Sequence, residues 1–213
     1  LIDHDDTVSP TSEKHHYPSF KRSLKVLRPD LEISFDEYIN YSFEPGFENF
    51  LKEILQLNEE EISYMYTNWK IETAEKIGIF YEEIKKFLLE FSDNGGIIGV
   101  VTHSDRRRIE IDYKYNLGFI PKDIYSWELG NDKRKPNPFP VFDIKEKYGL
   151  SNEEILVIDD LKPGFIMAKE AGVDFLWAGW AYNKPKFNEY MCNNAKYCVD
   201  NLYDFKVFYQ YLF

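Results

Sequence analysis

The sequence predicts an α/β protein, a doubly wound parallel-sheet (Rossmann-like) core with an all-helical segment inserted after the first strand. Three observations predict it. From about residue 96 onward, short apolar runs alternate with helical patterns, as the strands and crossovers of a parallel sheet do. Residues 12 to 93 carry helical periodicity and no buried-strand run. Polar clusters stand just past the apolar runs at Asp3, Thr102 and Asp159, where open α/β sheets place their ligands.

Leu1-Ile2 is an apolar stub and belongs to the sheet by the same logic. It opens inside a strand without Met, so residues upstream of it are expected. Ser34-Phe35-Asp36-Glu37 reads as a capping-box start, and Asn58 followed by Glu61 as another. Phe47, Phe50, Leu51, Ile54 and Leu55 fall on one helix face. Ile62, Met65, Tyr66 and Trp69 repeat the spacing, as do Phe80, Ile84, Phe87, Leu88 and Phe91. These aromatic stripes read as core. Gly95-Gly96 closes the last of these helices. The expected division is therefore a core of 1–11 and 94–213 and a helical domain of 12–93. Further strands are expected at Ile97 to Val101, Ile124 to Trp127, Ile155 to Ile158 and Val173 to Trp177, with a weaker sixth at Tyr197 to Val199. Helices are expected near 105–117, 138–149, 163–171 and 201–212.

Composition narrows the partners. Aromatic residues make up 17% of the 213, enough to require a buried core. A net charge of −11 repels nucleic acid and anionic lipid, so neither is an expected partner. No apolar stretch approaches the roughly 18 residues of a membrane span. The two cysteines, Cys192 and Cys198, are too few for a disulfide scaffold, which points to a reducing, cytoplasmic setting. In that setting the sequon Asn40-Tyr41-Ser42 is chance.

Four pieces carry chemistry. Asp3 and Asp5 lie two apart in an extended segment, so both carboxylates can face one pocket. Two anions that close need a cation or a proton between them, and Mg²⁺ suits an all-oxygen set; a solvated turn is the plainer reading of the pair alone. Asp159-Asp160 follows a buried run and can complete a metal cage or simply start a helix. Thr102 stands where a strand meets a helix beginning near Ser104 and Asp105, a place suited to cradling phosphate or to simple helix capping by Ser104. Lys135, in Lys135-Pro136-Asn137-Pro138, is a cation in a proline-stiffened loop, with Lys133 and Arg134 as rivals for its role.

In this order the four pieces resemble the motifs of the haloacid dehalogenase-like (HAD) superfamily of phosphotransferases. The helical insertion resembles that family's type-1 cap, as in phosphoglycolate-phosphatase-like and β-phosphoglucomutase-like members. Lys-Pro-x-Pro, the run Ala168-Lys169-Glu170-Ala171-Gly172-Val173 and Ala178-Gly179-Trp180 add to the likeness. The resemblance implies that Asp3 takes the phosphoryl group as an aspartyl-phosphate. Asp5 would protonate the leaving oxygen and then deprotonate water. Thr102, helped by the amide of His103, would hold a phosphate oxygen, and Lys135 would pair with Asp3 and the phosphate. Asp3, Asp159, Asp160 and the backbone carbonyl of Asp5 would bind Mg²⁺. The expected function is a Mg²⁺-dependent phosphatase acting on a small phosphorylated metabolite.

Three positions depart from the family pattern. Asp6 stands where Gly is common, His103 replaces a small residue or Asn, and Gly164 falls where another acid often stands. The nearest rival function is a sugar phosphomutase using the same intermediate, for which His15, beside His16, would be the hinge histidine. A phospho-accepting receiver domain is opposed by the large insertion and by the late acidic doublet. A catalytically idle binding protein is opposed by retention of the whole residue set, and a dehalogenase by Asp5. Arg28 and Lys52 are possible substrate contacts, while the substrate itself and the oligomeric state stay open.

Overall fold

The apolar runs pair as their alternation requires. The structure, a computed structural model, describes residues 1–211, so the last residue of the helix expected at 201–212 lies outside them. β1 (Gly99–Val101) pairs in parallel with β2 (Asp123–Tyr125). β3 (Leu156–Asp159), β4 (Asp174–Ala178) and β5 (Tyr197–Val199) form a parallel run in that order. The opening residues join the two groups: Ile2 bridges both Val100 and Ile158 in parallel. Its neighbours complete the ladder, with Ile2 N donating to Gly99 O at 2.8 Å and Asp3 N to Ile158 O at 2.9 Å. The first segment is thus central, and its end lies between the ends of β1 and β3. Trp127, expected in a strand, instead opens a short 3₁₀ turn, Trp127–Leu129.

The chain divides into two compact units, Leu1–Pro10 with Ile77–Phe213, and Thr11–Lys76. The insertion unit holds α1 (Tyr17–Leu27), α2 (Phe35–Tyr41), α3 (Phe47–Asn49) and α4 (Glu59–Thr73), with short helical turns before α1 and on either side of α3, and no strand among the described residues. Ser34 and Asn58 close reciprocal capping boxes with Glu37 and Glu61, each satisfying orphan N–H groups. Phe50, Leu51 and Leu55 are buried as the spacing requires, but Ile54 of the same stripe is exposed. Arg28 is committed to Glu61 at 2.6 Å, and Lys52 lies 3.9 Å from Glu59.

The core unit adds α5 (Glu82–Asp93), α6 (Arg106–Leu117), α7 (Phe139–Tyr148), α8 (Lys162–Ala171), α9 (Pro185–Cys192) and α10 (Leu202–Tyr209). α5 corrects the expected boundary at 94. Its Ile84, Phe87 and Leu88 are buried in one cluster with Ile2, Val100, Ile109, Leu176 and Phe205, so it belongs to the sheet's own core. An amphipathic stripe says that a helix is buried, not on what. α9 was not anticipated; Pro185 at its first turn is compatible with a helix start. Cys192, at the end of α9, and Cys198, in β5, are joined as a disulfide, which the reading of a reducing setting did not foresee. Among the described residues no helix is long and apolar enough to cross a membrane.

Phe87 packs against Phe91, Phe205 and Tyr209. Phe87→Ala is expected to cost about 3–5 kcal/mol in urea unfolding. A loss below about 1 kcal/mol would remove α5 from the core.

Candidate active site

The residues of all four motifs lie in the core unit, whereas Arg28, Lys52 and His15 lie in the insertion unit. Asp3 closes the central ladder, and the chain then turns sharply, with Asp6 N donating to Ser9 O at 2.7 Å and Val8 N to His4 O at 2.9 Å. Asp6 sits in the left-handed region at φ 66°, which Asp tolerates better than most residues. Its carboxylate accepts from the Tyr182 hydroxyl. That answers the missing glycine: the turn keeps glycine's backbone shape, and a tyrosine holds the acid that replaces it.

Lys135 is the hub. Its ammonium donates to Asp3 Oδ1 at 2.5 Å and to Asp159 Oδ2 at 2.6 Å, all three side chains being buried. Burial alone would lower its pKa; the Asp159 and Asp3 carboxylates outweigh that and hold it charged. Of its neighbours, Arg134 stacks on the Trp127 ring at 3.6 Å and Lys133 lies over Phe139 at 4.7 Å. Lys135 is aimed at the acids.

Carboxylate oxygens of Asp3, Asp159 and Asp160 lie within 4.8 Å of one another, and all three residues are buried. Burial, with the charges of the other acids, pushes the pKa values of Asp3 and Asp160 well up, against the pull of Lys135. One ammonium does not neutralise three acids. Asp160 Oδ1 accepts from Thr7 Oγ1 at 3.0 Å, while its Oδ2 is buried with no hydrogen-bond partner among the described residues. An orphaned carboxyl oxygen in a group with two more carboxylates fits a hard divalent cation with oxygen ligands. Gly164 belongs to the same arrangement. A Cβ there would lie 2.2 Å from Asp159 Oδ2, so the position expected for another acid is kept empty for Asp159.

Asp5 faces the other side of the site. Its Oδ2 accepts from Ser104 Oγ at 2.6 Å and from Thr102 Oγ1 at 3.3 Å. Thr102 Oγ1 in turn accepts from Ser104 N at 3.0 Å. The helix cap is Asp105, which accepts from Arg107 N at 3.0 Å, so Ser104 serves Asp5 rather than capping. His103 Nε2–H donates to Lys135 O at 2.7 Å and lies edge-on to Trp127. Packing and the Lys135 and Arg134 cations push its pKa down; the ring keeps an exposed edge, so the two cations are the firmer cause. Its side chain therefore braces the lysine loop.

Sequence reading missed a second layer. His4 Nε2 meets Asp112 Oδ2 at 3.0 Å, both residues fully buried. Arg108 lies 3.7 Å from Asp112 Oδ2 and 3.5 Å from Asp5 Oδ1. The available signal was the i,i+4 spacing of Arg108 and Asp112 on a helix.

A family profile described as haloacid dehalogenase-like hydrolase matches residues 1–178. A phosphoglycolate phosphatase of Vibrio cholerae serotype O1 is 25% identical over 121 residues, which is 56% of this chain and 53% of the relative. The chain spans little more than half the length of the curated relatives it matches. Among solved structures, a conserved haloacid dehalogenase-like protein of unknown function from Agrobacterium tumefaciens superposes with a TM-score of 0.77 at 18% identity, over 99% of this chain and 96% of that one. A candidate β-phosphoglucomutase from Bacteroides vulgatus gives 0.72 at 20% identity, over 99% and 86%. At these identities the two structures speak for the fold. With the profile spanning most of the chain, this protein belongs to the haloacid dehalogenase-like hydrolase family.

Proposed function

We propose that the protein is a Mg²⁺-dependent phosphatase that hydrolyses a small phosphorylated metabolite through an aspartyl-phosphate on Asp3. The observation that carries this reading is the buried trio Asp3, Asp159 and Asp160, bridged by Lys135 on one side and left with an orphaned oxygen on the other. The phosphoglycolate phosphatase relatives support the reaction class. The insertion Thr11–Lys76 serves as the cap in this reading, and the cytoplasm is the proposed setting.

Asp3, Asp159 and Asp160, with the backbone carbonyl of Asp5, would hold the ion, which when bound offsets charge on the phosphoryl group. The remaining chemistry belongs to the chain. Asp3 attacks phosphorus, and the ester oxygen leaves with a proton from Asp5, without which it would depart as an alkoxide. Water then attacks the aspartyl-phosphate and gives its proton back to Asp5. Thr102 turns its hydroxyl from the long bond to Asp5 towards a phosphoryl oxygen, joined by the amide of His103 in the loop ahead of α6. Lys135 holds Asp3 in line and opposes the repulsion between two anions.

The direct test is phosphate release from small phosphate monoesters, including 2-phosphoglycolate and β-glucose 1-phosphate, with Mg²⁺ and with EDTA. Mg²⁺-dependent turnover is expected, abolished by Asp3→Asn and lowered about 10²–10³-fold by Lys135→Ala. Turnover that survives Asp3→Asn would contradict the mechanism. Faster conversion of β-glucose 1-phosphate to its 6-phosphate than its hydrolysis would make the protein a mutase. His16, the neighbour of the His15 offered for that role, accepts from Trp69 Nε1 at 2.7 Å.

Metal binding has its own signature. The raised Asp3 and Asp160 pKa values mean that the metal-free fold prefers their protonated forms. Their contribution to stability is full below the ordinary carboxylate range and is lost as pH rises through the raised values. Mg²⁺ must displace those protons, so its stabilisation grows as pH rises above the ordinary carboxylate range and through the raised values. It is expected to reach about 2–3 kcal/mol at a hundredfold excess over Kd and to shrink in Asp160→Asn. A thermal shift independent of pH and of Asp160 would contradict the cluster as the binding site.

A further inference from the structure

We infer that Arg108 is the positioning residue for Asp5, holding the plane of its carboxylate from the side opposite Ser104 and Thr102. This inference rests on the phosphatase reading, in which Asp5 is the acid and base. The motif residues of the family resemblance do not include it.

The case begins with a charge in an improbable place. α6 opens with Arg106, Arg107 and Arg108 in a row. Arg106 pairs with Glu110 at 2.9 Å on the surface, and Arg107 is exposed. Arg108 is 3% exposed, and a buried guanidinium is kept only with charged partners. Asp112 and Asp5 face it. Asp112, one helical turn on, lies 3.7 Å from its Nε, and Asp5 lies 3.5 Å from its Nη2. Asp112 is itself pinned, by His4 Nε2 at 3.0 Å and by Gly78 N, which donates to its Oδ1 at 2.8 Å. The guanidinium therefore has a fixed negative charge beside its Nε and Asp5 beside its Nη2. A planar fork suits that span, where the single ammonium of a lysine cannot face both acids with the same geometry.

The Asp5 end is what gives the network a function. Asp5 keeps a fifth of its side chain exposed, whereas Arg108 and Asp112 are buried. Its Oδ2 is taken by Ser104 and Thr102, and Oδ1 faces Arg108. With both oxygens held from different elements, rotation about the last side-chain bond is restricted. A general acid must present its proton along one line to the departing oxygen, and loss of that alignment lowers the rate steeply. A salt bridge serving stability alone would be complete with Arg108 and Asp112. The third member points to the site.

Leaving-group chemistry separates positioning from a structural role. A phosphate ester of an alkyl alcohol needs its oxygen protonated as it departs; p-nitrophenyl phosphate does not. The value of kcat/KM reports only the steps up to that departure. In the Mg²⁺-loaded enzyme, Arg108→Gln is expected to lose about 100-fold in kcat/KM on the fastest alkyl ester of the panel. It should stay within about fivefold of wild type on p-nitrophenyl phosphate, since no acid is called for there. Arg108→Lys should recover part of the alkyl activity. Because a buried Asp112 deprived of its guanidinium can impair folding, the double variant Arg108→Met with Asp112→Asn removes both charges and should show the same contrast. Equal losses on both esters, or none on the alkyl ester, in the folded double variant would overturn the inference while leaving the phosphatase reading intact. A wild-type protein inert towards both esters would overturn that reading, and this inference with it.

Discussion

One ammonium shared by two buried carboxylates organises the core unit. Lys135 comes from a loop, Asp3 from the central segment of the sheet and Asp159 from the end of β3. Burying any one of these charges alone would be strongly unfavourable, and removing one partner would strand the others. The ion pairs therefore make the loop, the opening segment and β3 mutually dependent. His103 reinforces the loop through the Lys135 carbonyl, and Gly164 leaves the space in which Asp159 meets the lysine.

That hub does not balance the site. Asp160 joins Asp3 and Asp159 in one buried group, and burial together with the neighbouring acids raises the pKa of Asp3 and Asp160 against the pull of Lys135. Around it, side chains hold the acids in different attitudes. Thr7 takes one oxygen of Asp160, Tyr182 holds Asp6 away in its left-handed turn, and Ser104 holds Asp5. Behind Asp5, a cation and a second acid continue the pattern into the core at Arg108 and Asp112. The result is a graded use of charge, with the acids nearest the ladder paired to a lysine and Asp5 turned to hydroxyls and a guanidinium.

Much of this was legible in the residues because motif chemistry is local. Apolar runs followed by Asp3, Thr102 and Asp159 announce strand ends, and strand ends are where parallel sheets collect polar groups. Lys135 could be singled out only by resemblance, since Lys133 and Arg134 look equivalent in sequence; what separates them is the stacking of Arg134 on Trp127. Helix periodicity found α5 but could not assign it to the core, because a stripe carries no address. Ser104 read as a cap because hydroxyls before a helix usually are; Asp105 took that place instead. His4, Arg108 and Asp112 were out of reach for a different reason. Their contact spans more than a hundred residues between His4 and Asp112, and in sequence one arginine of three has no mark of burial.

The chemistry proposed for this fold reduces to one bond, between phosphorus and a carboxylate oxygen of Asp3. The most direct measurement is acid-quenched, single-turnover reaction of the Mg²⁺-loaded protein with its fastest phosphate monoester, followed by mass spectrometry of the peptide carrying residues 1–14. One phosphoryl group on Asp3, formed before free phosphate and absent from Asp3→Asn, is the predicted result. Phosphate appearing at full rate with no such adduct, or an adduct on another residue, would contradict the assignment of Asp3 as the nucleophile.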